Sequence, residues 1–270
     1  MTFPRGIGAL ERMKLLQNLW LRIALLGLCL AVSAQAVPYA NSAAQATPKP
    51  EAGWMKRHQD FVQIAKQGGI NVLFIGDSIT DYWRTDVRGI PTGGTTTGGK
   101  AVWDRYFAPL HAANFGISGD RIQNVLWRVK NGEIDNLSPK VVVLMIGTNN
   151  LSRDKVTGRP NTQPAEVVMG TAILVREIRA RVPFAKILLL GIFPRGQKGD
   201  PYRGEITRVN ARIAKLDDGK HVHYLDIGAK FLQRDGALSK DIMPDLLHPT
   251  AKGYQIWADA IKDPVAQLLK

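Results

Sequence analysis

Cysteine is nearly absent from the chain, since only Cys29 occurs among 270 residues. A single cysteine excludes a disulfide scaffold. The sequence is 45% hydrophobic and 22% charged, and neither glycine nor proline recurs at a fixed period, which excludes a disordered chain and a collagen-like repeat. The composition therefore predicts a globular protein with one substantial domain, or two at most.

Long apolar runs are also missing. The longest run, residues 23–32, is far shorter than the roughly 18 residues that a membrane-spanning helix needs, so stable membrane insertion is not expected. Basic residues precede this run and Ala34-Gln35-Ala36 follows it, a pattern that is typical of a secretory signal peptide. We expect cleavage after Ala36 and a secreted or periplasmic protein, while the start codon could be that of Met1 or Met13.

The rest of the chain divides into two parts. Residues 37–52 are rich in Ala, Pro and Ser without periodicity, which predicts a flexible leader between the signal peptide (1–36) and one domain (53–270). The formal net charge is +13, yet the basic residues are scattered and no basic block is interleaved with aromatic residues. Nucleic acid is therefore not an expected partner.

Five segments of the domain read as strands, and helical patterns separate them. They are residues 71–76, 112–116, 141–147, 186–193 and 221–228. The runs are continuously apolar rather than alternating, which indicates strands that are covered on both faces. The sequence thus predicts a three-layer α/β/α sandwich with a five-stranded parallel sheet of the flavodoxin-like kind.

Polar residues follow these strands at the sheet edge where ligands bind in open parallel sheets. Ser78 follows the first strand, Gly116 ends the second, Asn149 follows the third, and Asp245 and His248 come after the fifth. Together they contain the groups that acyl transfer requires. We therefore interpret this edge as a candidate active site.

A serine hydroxyl is a weak nucleophile and needs a neutral imidazole, which in turn is oriented by a carboxylate. Ser78 and His248 fit the first two roles. Asp245 lies three residues before His248, so a helical turn would make their side chains neighbours, although the nearby Asp241 is an alternative orienting group. The alternative for Ser78 is a helix cap, a common role for serine after a strand.

The tetrahedral intermediate of acyl transfer carries an oxyanion that needs preorganised hydrogen-bond donors. We predict that the backbone amides of Ser78 and Gly116 and the carboxamide of Asn149 supply them. Glycine at position 116 would let a substrate approach the backbone closely. No metal and no cofactor are required by this chemistry.

These residues lie in four blocks: GDSIT (76–80), NFGISGD (114–120), GTNN (147–150) and DLLHP (245–249). In these blocks the sequence resembles the SGNH hydrolases, also called GDSL esterases, with a particular likeness to the catalytic subunits of platelet-activating-factor acetylhydrolase. That likeness runs through residues 107–135, 139–150 and 188–197. The resemblance implies a serine esterase in which Asp245 orients His248, acting on a small-molecule or glycan ester.

Two features depart from those relatives. Those relatives are intracellular, whereas this chain carries a predicted export signal. Their lipid substrate is therefore not transferred to this chain. The Gly/Thr-rich stretch 84–100 is longer than the usual connection, and we expect a surface loop that borders the site. The prediction for the substrate is a short, acetyl-type ester.

Other readings have less support. Residues 94–100 match the start of a phosphate-binding loop, but Ala101 replaces the required Ser or Thr and no strand precedes them. His221 and His223 share a strand face and could hold a metal, but no third ligand lies at suitable spacing. An exported carbohydrate-binding pseudoenzyme remains the alternative function, and a homo-oligomer is compatible with the sequence.

Overall fold

A computed structural model describes residues 42–90, 93–153, 156–158 and 160–270. The predicted signal peptide (1–36) and the first residues of the predicted leader lie outside the described residues. No helix within the described ranges is long and apolar enough to cross a membrane.

The five predicted strands form one parallel sheet, and two further short strands form an antiparallel hairpin. The strands are β1 (Val72–Gly76), β2 (Val87–Gly89), β3 (Thr95–Thr97), β4 (Ala112–Gly116), β5 (Val141–Met145), β6 (Lys186–Leu190) and β7 (Val222–Leu225). The sheet order is β4-β1-β5-β6-β7, with Gly76 of β1 level with both Gly116 and Met145. The strands that precede Ser78 and Asn149 therefore end side by side.

Seven α-helices connect and cover these strands in the described part of the chain. They are α1 (Ala52–Gln67), α2 (Ser78–Asp81), α3 (Lys100–Tyr106), α4 (Ile122–Lys130), α5 (Pro164–Arg181), α6 (Pro201–Ile213) and α7 (Ala251–Leu268). Helices alternate with the strands of the sheet, and this order supports parallel pairing. Two parallel strands can be joined only by a segment that crosses over the sheet, and a helix provides it.

Each face of the sheet has its own hydrophobic core. Leu73 and Ile75 of β1 pack with residues of α1, α4, α5 and α6. Val72 and Phe74 point to the opposite face, where they pack with α2, α3 and α7. Full burial of side chains of this size contributes about 1.5–3 kcal/mol each. The predicted three-layer α/β/α fold is confirmed.

Three of the predicted strands run past their observed ends. β5 stops at Met145, β6 at Leu190 and β7 at Leu225, although 147, 193 and 228 were the expected limits. Ile192 and Phe193 are nevertheless buried in the core. An apolar run indicates that residues are buried, not that they pair in a sheet. Such a run therefore extends past the end of the strand into a loop that covers the core.

Part of the predicted leader packs on the domain. Ser42–Ala44 forms one 3₁₀ turn, and Ala43 is fully buried against Gly170 of α5. The Thr47 amide donates to the Gln123 carbonyl at 3.0 Å. Residues 42 onward therefore belong to the same compact unit as the domain rather than to a flexible linker, because their backbone groups and Ala43 find partners there.

Candidate active site

Ser78 is the first residue of α2 and lies directly beyond β1, with 4% of its surface exposed. Asp77, not Ser78, caps this helix, because the Asp77 carboxylate accepts a hydrogen bond from the Ile79 amide at 3.0 Å. The Ser78 hydroxyl is therefore free of the capping role.

Three predicted residues form a continuous relay of hydrogen bonds. The Ser78 hydroxyl lies 2.8 Å from His248 Nε2, and His248 Nδ1 lies 2.7 Å from Asp245 Oδ2. An ionised carboxylate can only accept, so Nδ1 carries the proton and Nε2 presents its lone pair to the hydroxyl of Ser78. This arrangement prepares the hydroxyl for deprotonation.

Asp245, rather than Asp241, orients the imidazole. The Asp241 side chain is 77% exposed, and its carboxylate lies 3.6 Å from Lys252 Nζ. Burial alone would raise the pKa of Asp245, but hydrogen bonds from the His248 side chain and backbone outweigh it and hold that pKa at about 2. Asp245 is therefore ionised at neutral pH.

The loop that carries this pair is shaped by its own backbone. Asp245 Oδ1 accepts hydrogen bonds from the amides of Leu247 and His248 at 3.1 and 2.8 Å. Leu246 takes a left-handed conformation with φ of 56°, and its carbonyl accepts from the Gly196 amide at 2.9 Å. One carboxylate thus both folds the turn and orients His248.

Gly116 does not contribute the amide that we predicted for the oxyanion. Its amide donates to Asn114 Oδ1 at 2.9 Å, so this donor is already used. A Cβ at position 116 would lie 2.3 Å from the Asp81 amide, so glycine is needed here for the close packing of β4 against α2. The role of Gly116 is structural, and the prediction is corrected accordingly.

Gly119 offers a free amide in its place. It has φ of +76°, and within the described residues no group accepts a hydrogen bond from its amide. The next residue, Asp120, accepts one from Asn149 Nδ2 at 2.9 Å, which puts the turn at 119–120 beside the Asn149 carboxamide. Asn149 keeps a second N–H, and the Ser78 amide, at the start of a helix, has no acceptor in the described part of the chain.

A buried ion network that sequence reasoning missed lies behind this turn. Arg128 is fully buried, and it pairs with Asp120 at 2.9 Å and also with Glu133. Glu133 accepts from His58 at 3.0 Å, and Trp54 Nε1 donates to Asp120 at 2.7 Å. Arg128 directly precedes the buried Val129 of α4, but no local pattern marks the carboxylates that it pairs with. These partners fix Asp120 and thereby the turn that holds Gly119.

Asp77, which directly precedes Ser78, has a raised pKa. Burial raises its pKa to about 7, and the nearby Asp120 carboxylate adds to the rise, while the hydrogen bond from the Ile79 amide opposes it. Asp77 therefore changes charge within the physiological pH range.

The Gly/Thr-rich stretch is more ordered than the expected loop. Its strands β2 and β3 form a hairpin in which Val87 pairs with Thr97. Thr97 accepts a hydrogen bond from the Ala251 amide at 3.3 Å, and Arg88 Nη2 donates to the His248 carbonyl at 3.0 Å. The stretch borders the site as predicted, and it does so from the side of His248.

The phosphate-loop alternative does not fit this geometry. Thr95–Thr97 forms strand β3, and Lys100 begins α3 and pairs with Asp104. Among the residues that the structure describes, no group of three His, Cys, Asp or Glu side chains could hold a metal ion.

Comparison with known proteins places this geometry in context. Residues 74–256 match the GDSL-like lipase/acylhydrolase family. The platelet-activating factor acetylhydrolase IB subunit alpha2 of Rattus norvegicus is 37% identical over 236 residues, which cover 87% of this chain and 91% of that protein.

Solved structures share the fold. A GDSL-like lipase from Bacteroides thetaiotaomicron has a TM-score of 0.59 and 20% identity, covering 78% of this chain and 97% of its own. An acetylxylan esterase from Geobacillus stearothermophilus has a TM-score of 0.56 and 24% identity, covering 73% and 94% respectively.

Proposed function

The chain belongs to the GDSL-like lipase/acylhydrolase family and is a carboxylic ester hydrolase, and from that premise we propose a serine esterase that cleaves short, acetyl-type esters through an acyl-enzyme. The observation that carries the proposal is the relay from Ser78 through His248 to Asp245, with distances of 2.8 and 2.7 Å.

In the first half-reaction the Ser78 oxygen attacks the acyl carbon while its proton passes to His248 Nε2. The tetrahedral intermediate collapses, the bond to the alcohol oxygen breaks, and His248 returns the proton to the departing alcohol. Water then attacks the acyl-enzyme as His248 takes its proton, and release of the carboxylic acid restores Ser78. Asp245 stabilises the imidazolium during both steps without accepting its proton.

The oxyanion of both intermediates is bound by three donors: the Ser78 amide, the Gly119 amide and the free N–H of Asn149. The left-handed turn at Gly119 and the hydrogen bond from Asn149 to the Asp120 carbonyl support this assignment. Donors that are fixed before the reaction stabilise the developing charge without reorganisation.

Replacement of the nucleophile tests the mechanism. Ser78→Ala should lower kcat for p-nitrophenyl acetate by about 10⁴-fold or more, because no other group supplies the attacking oxygen. Ser118→Ala is the matched control, since Ser118 Oγ lies 3.5 Å from the Tyr82 hydroxyl and belongs to no relay. A fluorophosphonate should label the Ser78 peptide of the parent protein.

Rates for Ser78→Ala within tenfold of the parent would overturn the serine mechanism. Unlabelled Ser78 in an inactive but folded parent protein would favour the binding pseudoenzyme instead. Thermal unfolding of both variants should match the parent, because each change removes one oxygen atom.

The preference for short acyl groups rests on the apolar surface near the nucleophile. Of the large aromatic residues Trp83, Trp103 and Phe107, the first and last are fully buried and Trp103 packs partly buried against the same core, so among the described residues they form no extended apolar groove. In a fitted groove each added methylene would gain about 0.8 kcal/mol, whereas in a closed pocket it meets steric repulsion. kcat/KM should peak at acetyl or propionyl and fall steeply by octanoyl, and a rise through octanoyl would reverse this proposal.

The natural ester is an O-acetyl group of a polysaccharide or a short acyl chain of a lipid. Two similar proteins are named for an acetylated substrate of each kind, an acetylxylan and platelet-activating factor. A panel of acetylated glycans and phospholipids, tested with the mature protein, distinguishes these classes.

Export is a separate part of the proposal, and it rests on the basic flank, the apolar run 23–32 and Ala34-Gln35-Ala36. Amino-terminal sequencing of the secreted or periplasmic protein should begin at Val37. Protein retained in the cytosol with Cys29 still present would contradict export.

A further inference from the structure

Arg88 lies on the short strand β2 of the hairpin, and only 8% of its surface is exposed. Its Nη2 donates to the His248 carbonyl at 3.0 Å, and its Nη1 lies 3.8 Å from Asp245 Oδ2. The guanidinium thus contacts both members of the pair that activates Ser78.

The surroundings of this cation are unusual for a buried arginine. Within the described residues its one ion pair is with Asp245, and its Nε, also buried, has no hydrogen-bond partner. Burial of a charged group is costly unless the group is paired and hydrogen-bonded. The partners that offset this cost are therefore the carbonyls of Gly89 and His248 and the Asp245 carboxylate.

Tyr82 completes the contact between the hairpin and the imidazole. The Arg88 guanidinium lies over the Tyr82 ring at 5.0 Å, and the centre of that ring is 5.2 Å from the centre of the His248 ring. Tyr82 thus bounds the His248 imidazole on one side, and Arg88 holds the backbone of His248. Movement of the hairpin would displace both contacts together.

We propose that Arg88, from outside the parallel sheet, is a positioning residue of the esterase reaction. It keeps the Asp245–His248 pair at hydrogen-bonding distance from Ser78. The inference rests on the proposed function and assigns a role to the hairpin of residues 84–100. Arg88 acts through charge on Asp245 and through a hydrogen bond on the His248 backbone, without contact with the substrate. An error of about 1 Å in the placement of a catalytic group can cost ~10²-fold in rate.

The matched test uses two arginines of the same stretch. Arg88→Gln should lower kcat for p-nitrophenyl acetate by about 10- to 100-fold with KM changed less than about twofold, because positioning affects the transition state. Arg84→Gln is the control, since Arg84 pairs with Asp81 and its side chain is 51% exposed. Arg88→Lys keeps the charge but loses the planar fork, so its kcat should lie between those of the parent and Arg88→Gln.

A double-mutant cycle separates positioning from support of the fold. In the Asp245→Asn background the charge that Arg88 pairs with is absent and only the hydrogen bond to the His248 carbonyl remains, so Arg88→Gln should cost a clearly smaller fold-loss in kcat than it does in the parent. A merely structural role would give the same fold-loss in both backgrounds, and that result would overturn the proposal. If Arg88→Gln does not fold, Arg88→Lys and its cycle with Asp245→Asn give the same comparison.

The two proposals fail in different ways. A parent protein without esterase activity would refute the proposed function. An active parent whose kcat is unchanged in Arg88→Gln would refute the positioning role alone, and the serine mechanism would stand.

Discussion

The two halves of the site are held by different kinds of structure. Ser78, Gly119 and Asn149, the strand half, follow β1, β4 and β5, and the turn at Asp120 is fixed by the buried Arg128 network. The loop half, Asp245 and His248, lies between a 3₁₀ turn that ends at Phe231 and helix α7.

Contacts of the loop half are short in range or come from outside the sheet. The Thr250 amide donates to the Ile242 carbonyl at 2.8 Å and the Leu246 amide to the Met243 carbonyl at 2.9 Å. From outside the loop, Arg88 donates to the His248 carbonyl, the Ser78 hydroxyl lies 2.8 Å from His248 Nε2, and the Tyr82 ring lies beside the imidazole. We therefore expect substitutions behind the strand half to lower mainly the free energy of unfolding. Substitutions in the loop half should lower mainly kcat.

The largest expected effect comes from the loop half. Asp245→Asn should lower kcat by about 10⁴-fold while the protein stays folded at neutral pH, because asparagine no longer selects the Nδ1–H tautomer of His248. The matched control is Asp241→Asn, whose exposed carboxylate is outside the relay and whose kcat should stay within about twofold of the parent. Kinetics with p-nitrophenyl acetate and far-UV circular dichroism measure both. Equal losses in the two variants would contradict the assignment of Asp245.

The next effect is on stability and comes from behind the strand half. Arg128→Met leaves the buried Asp120 and Glu133 carboxylates without their counter-ion, so the free energy of unfolding should fall by about 3–5 kcal/mol. Arg181→Met is the control, because its pairs with Asp135 and Glu177 are partly exposed and should contribute about 1 kcal/mol or less. Urea unfolding at pH 7 compares the variants. Similar losses of unfolding free energy in both variants would show that the buried network stabilises the fold no more than a partly exposed ion pair does.

Asn149→Ala tests whether the strand half also contributes chemistry. Loss of one oxyanion donor should lower kcat by about 10²–10³-fold, with little change in KM, because the donor acts mainly in the transition state. Asn131→Ala removes an exposed amide that donates to the Trp127 carbonyl and should leave kcat unchanged. A change in KM alone would make Asn149 a substrate-binding residue instead.

The smallest effect sharpens the comparison through pH. The pKa of Asp77 is raised to about 7 in the folded protein, so the native state keeps a proton that the unfolded chain loses near pH 4. The parent should therefore lose stability as pH rises from 4 to 7. Asp77→Asn lacks this titration, so the difference in unfolding free energy between variant and parent should grow by about 2–3 kcal/mol between pH 5 and pH 8. Parallel stability curves would contradict a buried, neutral Asp77.

Much of the fold could be predicted because apolar runs and their order report a covered parallel sheet. The pairing of Asp245 with His248 followed from a three-residue spacing, which the turn at Leu246 realises. The choice between Gly116 and Gly119 could not be made from the sequence, since it depends on the Asn114 side chain that occupies one of the two amides.

Arg88 and Arg128 were missed for a shared physical reason. A charged residue is ordinarily exposed, and no local pattern shows that a distant carboxylate will accompany it into the interior. The hairpin itself was missed because strands of three residues are too short to display alternation.

The position of α7 in the chain bears on the order in which the site is assembled. Ser78 and His248 are 170 residues apart, and α7, the last helix, packs its Tyr254 and Trp257 on Trp83 at 4.4 and 5.0 Å, just beyond the nucleophile. The Tyr254 hydroxyl also donates to the Ile79 carbonyl at 2.7 Å. Chains emerge from the ribosome with their N-terminal parts first, so the sheet edge that bears Ser78 is made well before the helix that secures His248. We therefore expect a growing polypeptide to lack the complete relay until the helix that follows His248 has docked on Trp83.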